Sequence, residues 1–148
     1  MSNAATVLIV EDDVPTQLLL TALASRNGMT VTVASDGDEA LHYLSRRHYD
    51  VVLLDLMLPK TNGFDVLRHV SCVFPRLLDK VVIITGLSPA SYAECAYLGS
   101  VRRLLRKPFD VAELELEMLS CWADALLEHD RRPPQQAASA PREAKMFA

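Results

Sequence analysis

The sequence predicts an α/β domain: a doubly wound, five-stranded parallel sheet with helices on both faces. Three observations predict it. Short apolar runs such as V-L-I-V (Val7–Val10), V-V-L-L (Val51–Leu54) and V-V-I-I (Val81–Ile84) are continuous rather than alternating, as strands buried on both faces must be. Stretches of helical periodicity with capping residues separate them, giving the order βαβαβαβαβα. Each run leads into a polar residue able to do chemistry: Glu11 and Asp12, Asp55, Thr85 and Lys107. In an open parallel sheet, ligands bind beyond the carboxyl ends of the strands.

The elements follow in order. Thr6–Val10 is the first strand. Asp13 can cap a helix over Val14–Asn27, with Pro15 tolerated in its first turn and Gly28 ending it. Met29–Ala34 is a second, weakly alternating strand. Asp36-x-x-Glu39 is a capping box, and Ala40, Leu41 and Leu44 give the next helix its apolar stripe. Asp50–Asp55 is the third strand. Leu58–Gly63 is a loop in which Asn62-Gly63 can supply the positive φ values of a sharp turn. A helix over Phe64–Val73 ends at Phe74-Pro75. Lys80–Thr85 is the fourth strand, and Pro89–Leu98 is expected to form a helix closed by Gly99. Val101–Arg106 is the fifth strand. Its Arg102, Arg103 and Arg106 suit a solvated sheet edge, where charge discourages further pairing. Asp110-x-x-Glu113 opens a last helix to Glu128 with an apolar band wider than one sheet-facing stripe requires. The excess around Trp122 and Leu126 suits a homodimer or partner surface. Right-handed crossovers are then nearly obligatory.

Composition narrows the function. The 148 residues fit one domain, and a net charge of −4 provides no basic footprint for nucleic acid within this chain. No apolar run approaches the ~20 residues a membrane helix needs. The N-terminus lacks the basic segment and apolar stretch of a signal peptide, so the expected location is the cytoplasm. Residues 1–5 read as an expression-tag remnant or N-terminal tail and 6–129 as the domain. Residues 130–148, proline-containing and poor in apolar residues, read as a linker or flexible C-terminal tail. Cys72, Cys95 and Cys121 form no C-x-x-C and suit small hydrophobes in a reducing compartment. The histidines show no ligand spacing.

If the first and third strands are neighbours, Glu11, Asp12 and Asp55 share one pocket. Carboxylates that close raise one another's pKa and cannot all stay ionised unaided. A hard divalent cation such as Mg2+, which prefers carboxylates, waters and phosphate oxygens, resolves the conflict. With Lys107, the formal charges then cancel, leaving a site that tolerates an incoming phosphoryl group.

Together, V-E-D-D, L-L-D-L-M-L-P, V-I-I-T-G and R-K-P-F resemble the receiver domain of two-component response regulators, over about Thr6 to Leu127. The resemblance implies a flavodoxin-like sheet of strand order 2-1-3-4-5. It implies that Asp55 accepts a phosphoryl group from the phosphohistidine of a sensor histidine kinase or phosphotransfer protein. Asp12 would ligate Mg2+ directly, Glu11 mainly through water, and the Met57 backbone carbonyl would be a further ligand. Lys107 would pair with the phosphoryl oxygens, the Thr85 hydroxyl would swing toward them, and the Lys107–Pro108 bond would be cis. The module would be a signalling domain, limited to self-phosphorylation and slow autodephosphorylation, that controls an output domain after residue 148 or a separate effector.

Two positions depart from the family. Leu104 stands three residues before Lys107, where an aromatic ring commonly couples phosphorylation to the output face, so that coupling lacks its ring. Met57 and Leu87, each two residues past a site residue, are apolar and flank the path of an attacking water, and are expected to influence phosphoryl lifetime. The rival functions are a magnesium phosphohydrolase with an aspartate nucleophile, which wants an acid where Met57 stands, and a degenerate receiver acting as a phosphorylation-independent binding module.

Overall fold

A computed structural model describes residues 4–130. Among the described residues, five strands and four α-helices follow in the order β1 (Thr6–Val10), α1 (Val14–Arg26), β2 (Thr30–Ala34), α2 (Gly37–Arg46), β3 (Val51–Leu54), α3 (Gly63–Val73), β4 (Val81–Thr85), β5 (Arg103–Arg106) and α4 (Val111–Asp130). The sheet order is β2-β1-β3-β4-β5, with every pair parallel. The expected doubly wound sheet is therefore present. Of the tail expected over 130–148, Asp130 closes α4, while residues 131–148, like the first three residues, lie outside the described part.

Side-chain alternation sorts each strand between two cores. Val7, Ile9, Val51, Leu53, Val82 and Ile84 point into the layer beneath α1 and α4, where Leu20, Leu23, Leu114 and Met118 meet them. Leu8, Val10, Val52, Leu54, Val81 and Ile83 point into the layer beneath α2 and α3, against Ala40, Leu44, Val66, Leu67 and Val70. Apolar residues on both faces explain why these strands read as unbroken hydrophobic runs.

The helix starts follow their caps. Asp13 accepts from Thr16 N at 3.1 Å, Asp36 from Glu39 N at 2.8 Å and Asp110 from Glu113 N at 3.1 Å. Asn62 caps α3 by accepting from Asp65 N at 3.0 Å. It sits at φ −75°, so the expected positive-φ turn at Asn62-Gly63 is absent; Lys60, at φ 61°, makes the left-handed step instead. An asparagine whose carbonyl caps a helix must keep the extended backbone of a cap residue.

The helix expected over Pro89–Leu98 is the main correction. The segment contains only two short 3-10 turns, Pro89–Ser91 and Ala96–Gly99. Ser88 provides no side-chain cap, and Tyr92, Cys95, Tyr97 and Leu98 are no more than partly buried. Short helices depend on burying an apolar face, and this one has too little to bury.

Arg102, just before β5, and Arg103 within it also differ from a purely solvated edge. Arg102 donates to the Asp79 carbonyl at 2.7 Å, to Ser120 Oγ at 3.0 Å and to Asp124, while Arg103 pairs with Glu113 and Glu117. Buried Lys80 reaches Glu128 at 2.7 Å. These pairs hold α4 to the sheet. Its outward face leaves Leu116, Leu119, Leu126 and Leu127 exposed.

Arg26 and Asn27, at the end of α1, hold the Glu115 carboxyl at a pKa of about 2, against an ordinary 4.5. A depressed acid contributes stability that is complete above its unfolded pKa and is lost as pH falls through the folded one. Glu115→Gln should therefore destabilise the domain near neutrality. The deficit should shrink as pH drops from 4.5 toward about 2, as read by urea unfolding at a series of pH values.

Candidate functional site

Strand register brings the site together. Val10 pairs with Leu54 at the carboxyl ends of β1 and β3, so the next residues, Glu11 and Asp55, emerge side by side. Their backbones continue the sheet: Glu11 N donates to Ala34 O at 3.0 Å and Asp55 N to Val10 O at 3.0 Å. On the other side, Thr85 pairs with Arg106, and Lys107 N donates to Thr85 O at 2.8 Å. Lys107 thus follows β5 directly onto the same edge, and its bond to Pro108 is cis, as the resemblance implied.

Glu11 is 1% exposed and Asp55 5%. Between them lies the Lys107 ammonium, 2.6 Å from Glu11 Oε1 and 3.1 Å from Asp55 Oδ2. Asp12 is exposed, yet Glu11, Asp12 and Asp55 each bring a carboxylate oxygen within 4.8 Å of the others. Burial pushes the Glu11 carboxyl above its ordinary pKa. The Lys107 hydrogen bond and the Asp13 amide pull against this, and the nearby Asp55 charge adds to the rise. Burial alone would lower the Lys107 pKa, but the Glu11 hydrogen bond and the Asp55 charge outweigh it and raise it. The ammonium therefore stays charged. One cation serves two buried carboxylates and a third close by, a set of hard oxygen donors that suits a small divalent cation.

The remaining site residues take less expected forms. Asp55 Oδ1 accepts from Met57 N at 3.0 Å, while the Met57 side chain is largely exposed. Thr85 is fully buried, and its hydroxyl accepts from Leu87 N at 3.1 Å. Leu104 is half-buried and packs with the core beneath α2 and α3. Sequence reasoning missed Gln17, whose Nε2 donates to the Glu11 carbonyl and to Ser35 Oγ at 3.1 Å, bracing the β1 end against β2. It also missed the contacts of the loop 55–62 with α2. A glutamine one turn into a helix has no sequence signature for such a role, and the loop contacts join residues 23 positions apart.

Gly63 fixes the other side of that loop. A Cβ there would stand 2.3 Å from the Asp55 carbonyl oxygen and 2.4 Å from Leu56 Cα. Both are backbone atoms that cannot rotate away. Gly63→Ala should therefore cost about 1–3 kcal/mol, as overpacking of a tight interior does. Thermal unfolding checks this, with Gly86→Ala as a comparison: a Cβ at Gly86 meets nothing within 4 Å.

Comparison with known proteins agrees with this geometry. The family model of the response regulator receiver domain matches residues 7–118. Response regulator MprA of Mycobacterium ulcerans is 30% identical over 124 residues, covering 84% of this chain and 53% of that protein. Transcriptional activator protein PfeR of Pseudomonas aeruginosa is 33% identical over 133 residues, covering 88% of this chain and 41% of that protein. The chain thus spans about half the length of the relatives it matches. Among solved structures, a response regulator receiver domain from Clostridium thermocellum superposes with a TM-score of 0.73 at 26% identity, covering 83% of this chain and 98% of its own. The receiver domain of a sensor histidine kinase from Pseudomonas aeruginosa, with a magnesium ion coordinated in its active-site cleft, gives 0.72 at 25% identity, covering 81% and 98%. With the family model matching most of the chain, and with a doubly wound sheet that gathers two acids, an aspartate, a threonine and a lysine at one edge, this chain belongs to the receiver domains of two-component response regulators.

Proposed function

We propose that this receiver accepts a phosphoryl group on Asp55 and that the modified state signals to an output. The observation that carries the reading is the buried Asp55 carboxylate beside Lys107, with Glu11 and Asp12 within carboxylate reach. Glu11, Asp12, Asp55 and the Met57 carbonyl would hold Mg2+, which supplies charge neutralisation for the transferring group. An Asp55 oxygen attacks phosphorus, the phosphorus–nitrogen bond of a donor phosphohistidine breaks with its electron pair going to nitrogen, and the ring leaves as neutral imidazole, keeping the proton already on its other nitrogen. Lys107 balances the charge that gathers on the phosphoryl oxygens, and the Thr85 hydroxyl offers them a hydrogen bond. Phosphoryl transfer asks for little beyond such positioning and electrostatics.

The donor is then a sensor histidine kinase or a phosphotransfer protein. Relatives about twice as long, several of them transcriptional regulators, support an output domain beyond residue 148 or a separate effector. Turnover is limited to the chain's own phosphoryl group. Residues 6–129 serve as the folded unit, and the exposed leucines of α4 suit a homodimer contact. Among the described residues no helix is long and apolar enough to cross a membrane, and we place the protein in the cytoplasm.

Incubation with acetyl phosphate and Mg2+, followed by intact-mass measurement, tests the reading. One phosphoryl group per chain, labile to hydroxylamine and absent when EDTA replaces Mg2+, is expected. Multiple turnover of phosphoesters would instead favour a hydrolase, and no adduct a binding module.

A further inference from the structure

Three consecutive residues at the start of α2 grip three consecutive residues of the loop after Asp55. Asp36 Oδ2 lies 3.4 Å from Lys60 Nζ. The Gly37 amide donates to the Pro59 carbonyl at 3.5 Å. Thr61 Oγ1 donates to Asp38 Oδ1. The two segments touch so closely that a Cβ on Gly37 would stand 1.6 Å from the Thr61 carbonyl oxygen. Lys60 holds its left-handed backbone, φ 61°, between these contacts. A residue with a Cβ seldom adopts that conformation unless its surroundings impose it.

Met57 lies two residues before the stretch so held. Its side chain is 56% exposed and gives the backbone little anchorage. Its amide is tied to Asp55 Oδ1. Two sets of contacts bracket it in the chain: Gly63 packs against Asp55 and Leu56 on one side, and the start of α2 holds Pro59, Lys60 and Thr61 on the other. Asp36 divides its carboxylate between two tasks, since Oδ1 caps α2 through Glu39 N at 2.8 Å while Oδ2 faces Lys60.

The geometry points to Asp36, Gly37 and Asp38 as positioning residues that hold the backbone of residues 57–61 and thereby set the affinity of the acidic cluster for Mg2+. The inference rests on the reading that this cluster holds Mg2+. Groups that orient metal ligands without touching the metal typically change affinity by 10–100-fold when removed.

The helix cap can be kept while the grip is released. Asparagine caps helices about as well as aspartate, so Asp36→Asn retains the cap and removes the charge facing Lys60. Thr61→Val removes the hydroxyl bonded to Asp38 at nearly constant shape. Titration calorimetry of the full chain with MgCl2 alone should show the double variant Asp36→Asn/Thr61→Val binding Mg2+ about tenfold more weakly than the parent. Thr61→Ser, which keeps the hydroxyl, should bind as the parent does. Glu39→Gln makes the same change of net charge at an exposed neighbouring position and should leave affinity unchanged, which separates positioning from a general field effect. Unfolding in EDTA reports whether the double variant is folded. A folded double variant with parental Mg2+ affinity, or a Glu39→Gln loss as large as the double variant's, overturns the inference. A parent that takes up no Mg2+ overturns the magnesium reading, and this inference with it.

Discussion

Asp55→Asn is expected to take up no phosphoryl group from acetyl phosphate, while remaining about as stable as the parent when Mg2+ is absent. The two halves have separate causes. A carboxylate oxygen is a nucleophile with a full negative charge shared over two atoms, whereas an amide offers only a weakly basic carbonyl oxygen. No other carboxylate at this edge combines the burial of Asp55 with its bond to Lys107, apart from Glu11, which the same lysine holds more tightly at 2.6 Å. The fold should tolerate the change because the amide can still accept the Met57 amide hydrogen through Oδ1. Lys107 loses one partner but retains Glu11. At the same time the repulsion between Asp55 and Glu11, which helps to raise the Glu11 pKa, disappears. Lost attraction to Lys107 and relieved repulsion from Glu11 oppose one another, so the net change should stay within about 1 kcal/mol. Intact mass and urea unfolding in EDTA read the two halves independently. An adduct on the variant at the parental rate would move the acceptor to another residue.

What could be read from the sequence and what could not divides along a physical line. The sheet was legible because both faces of β1, β3 and β4 are buried, so Val7–Val10, Val51–Leu54 and Val81–Ile84 had to be apolar throughout. The site was legible for a related reason. Parallel strands in register end together, so polar residues that follow apolar runs are gathered by the sheet itself. Caps such as Asp13, Asp36 and Asp110 were legible because they act on an amide three residues away. Pro89–Leu98 was misread because helical spacing says where a stripe would point, not whether anything is there to cover it. Asn62-Gly63 was misread because one dipeptide serves either a turn or a cap plus a close approach, and only the packing of Gly63 on Asp55 and Leu56 decides. The ties of Lys60 and Thr61 to α2, and of Arg102, Arg103 and Lys80 to α4, join side chains from distant parts of the chain. No local pattern encodes them.

Lys107→Met is expected to act in the opposite sense to Asp55→Asn: a loss of about 3 kcal/mol in EDTA, of which Mg2+ restores a large part. Methionine matches the lysine stem in length and lack of branching, so packing changes little and charge changes most. Glu11 and Asp55, both nearly inaccessible, would be left facing one another without a cation. Removing one partner from a buried ionic cluster costs more than the cluster itself contributes, because the stranded charge still has to be desolvated. In EDTA the carboxylates can escape only by binding a proton, which burial already favours at Glu11. A folded-state pKa raised further in this way makes the deficit grow as pH rises. Magnesium offers a second escape. An ion that binds only the native state stabilises it by mass action, and in the variant it no longer competes with an ammonium for the same oxygens. The shift in unfolding midpoint between EDTA and MgCl2 should therefore be larger for Lys107→Met than for the parent. Equal stability of the two proteins in EDTA would mean that Lys107 does not hold these acids together, and equal Mg2+ shifts would mean that ammonium and metal do not share a site.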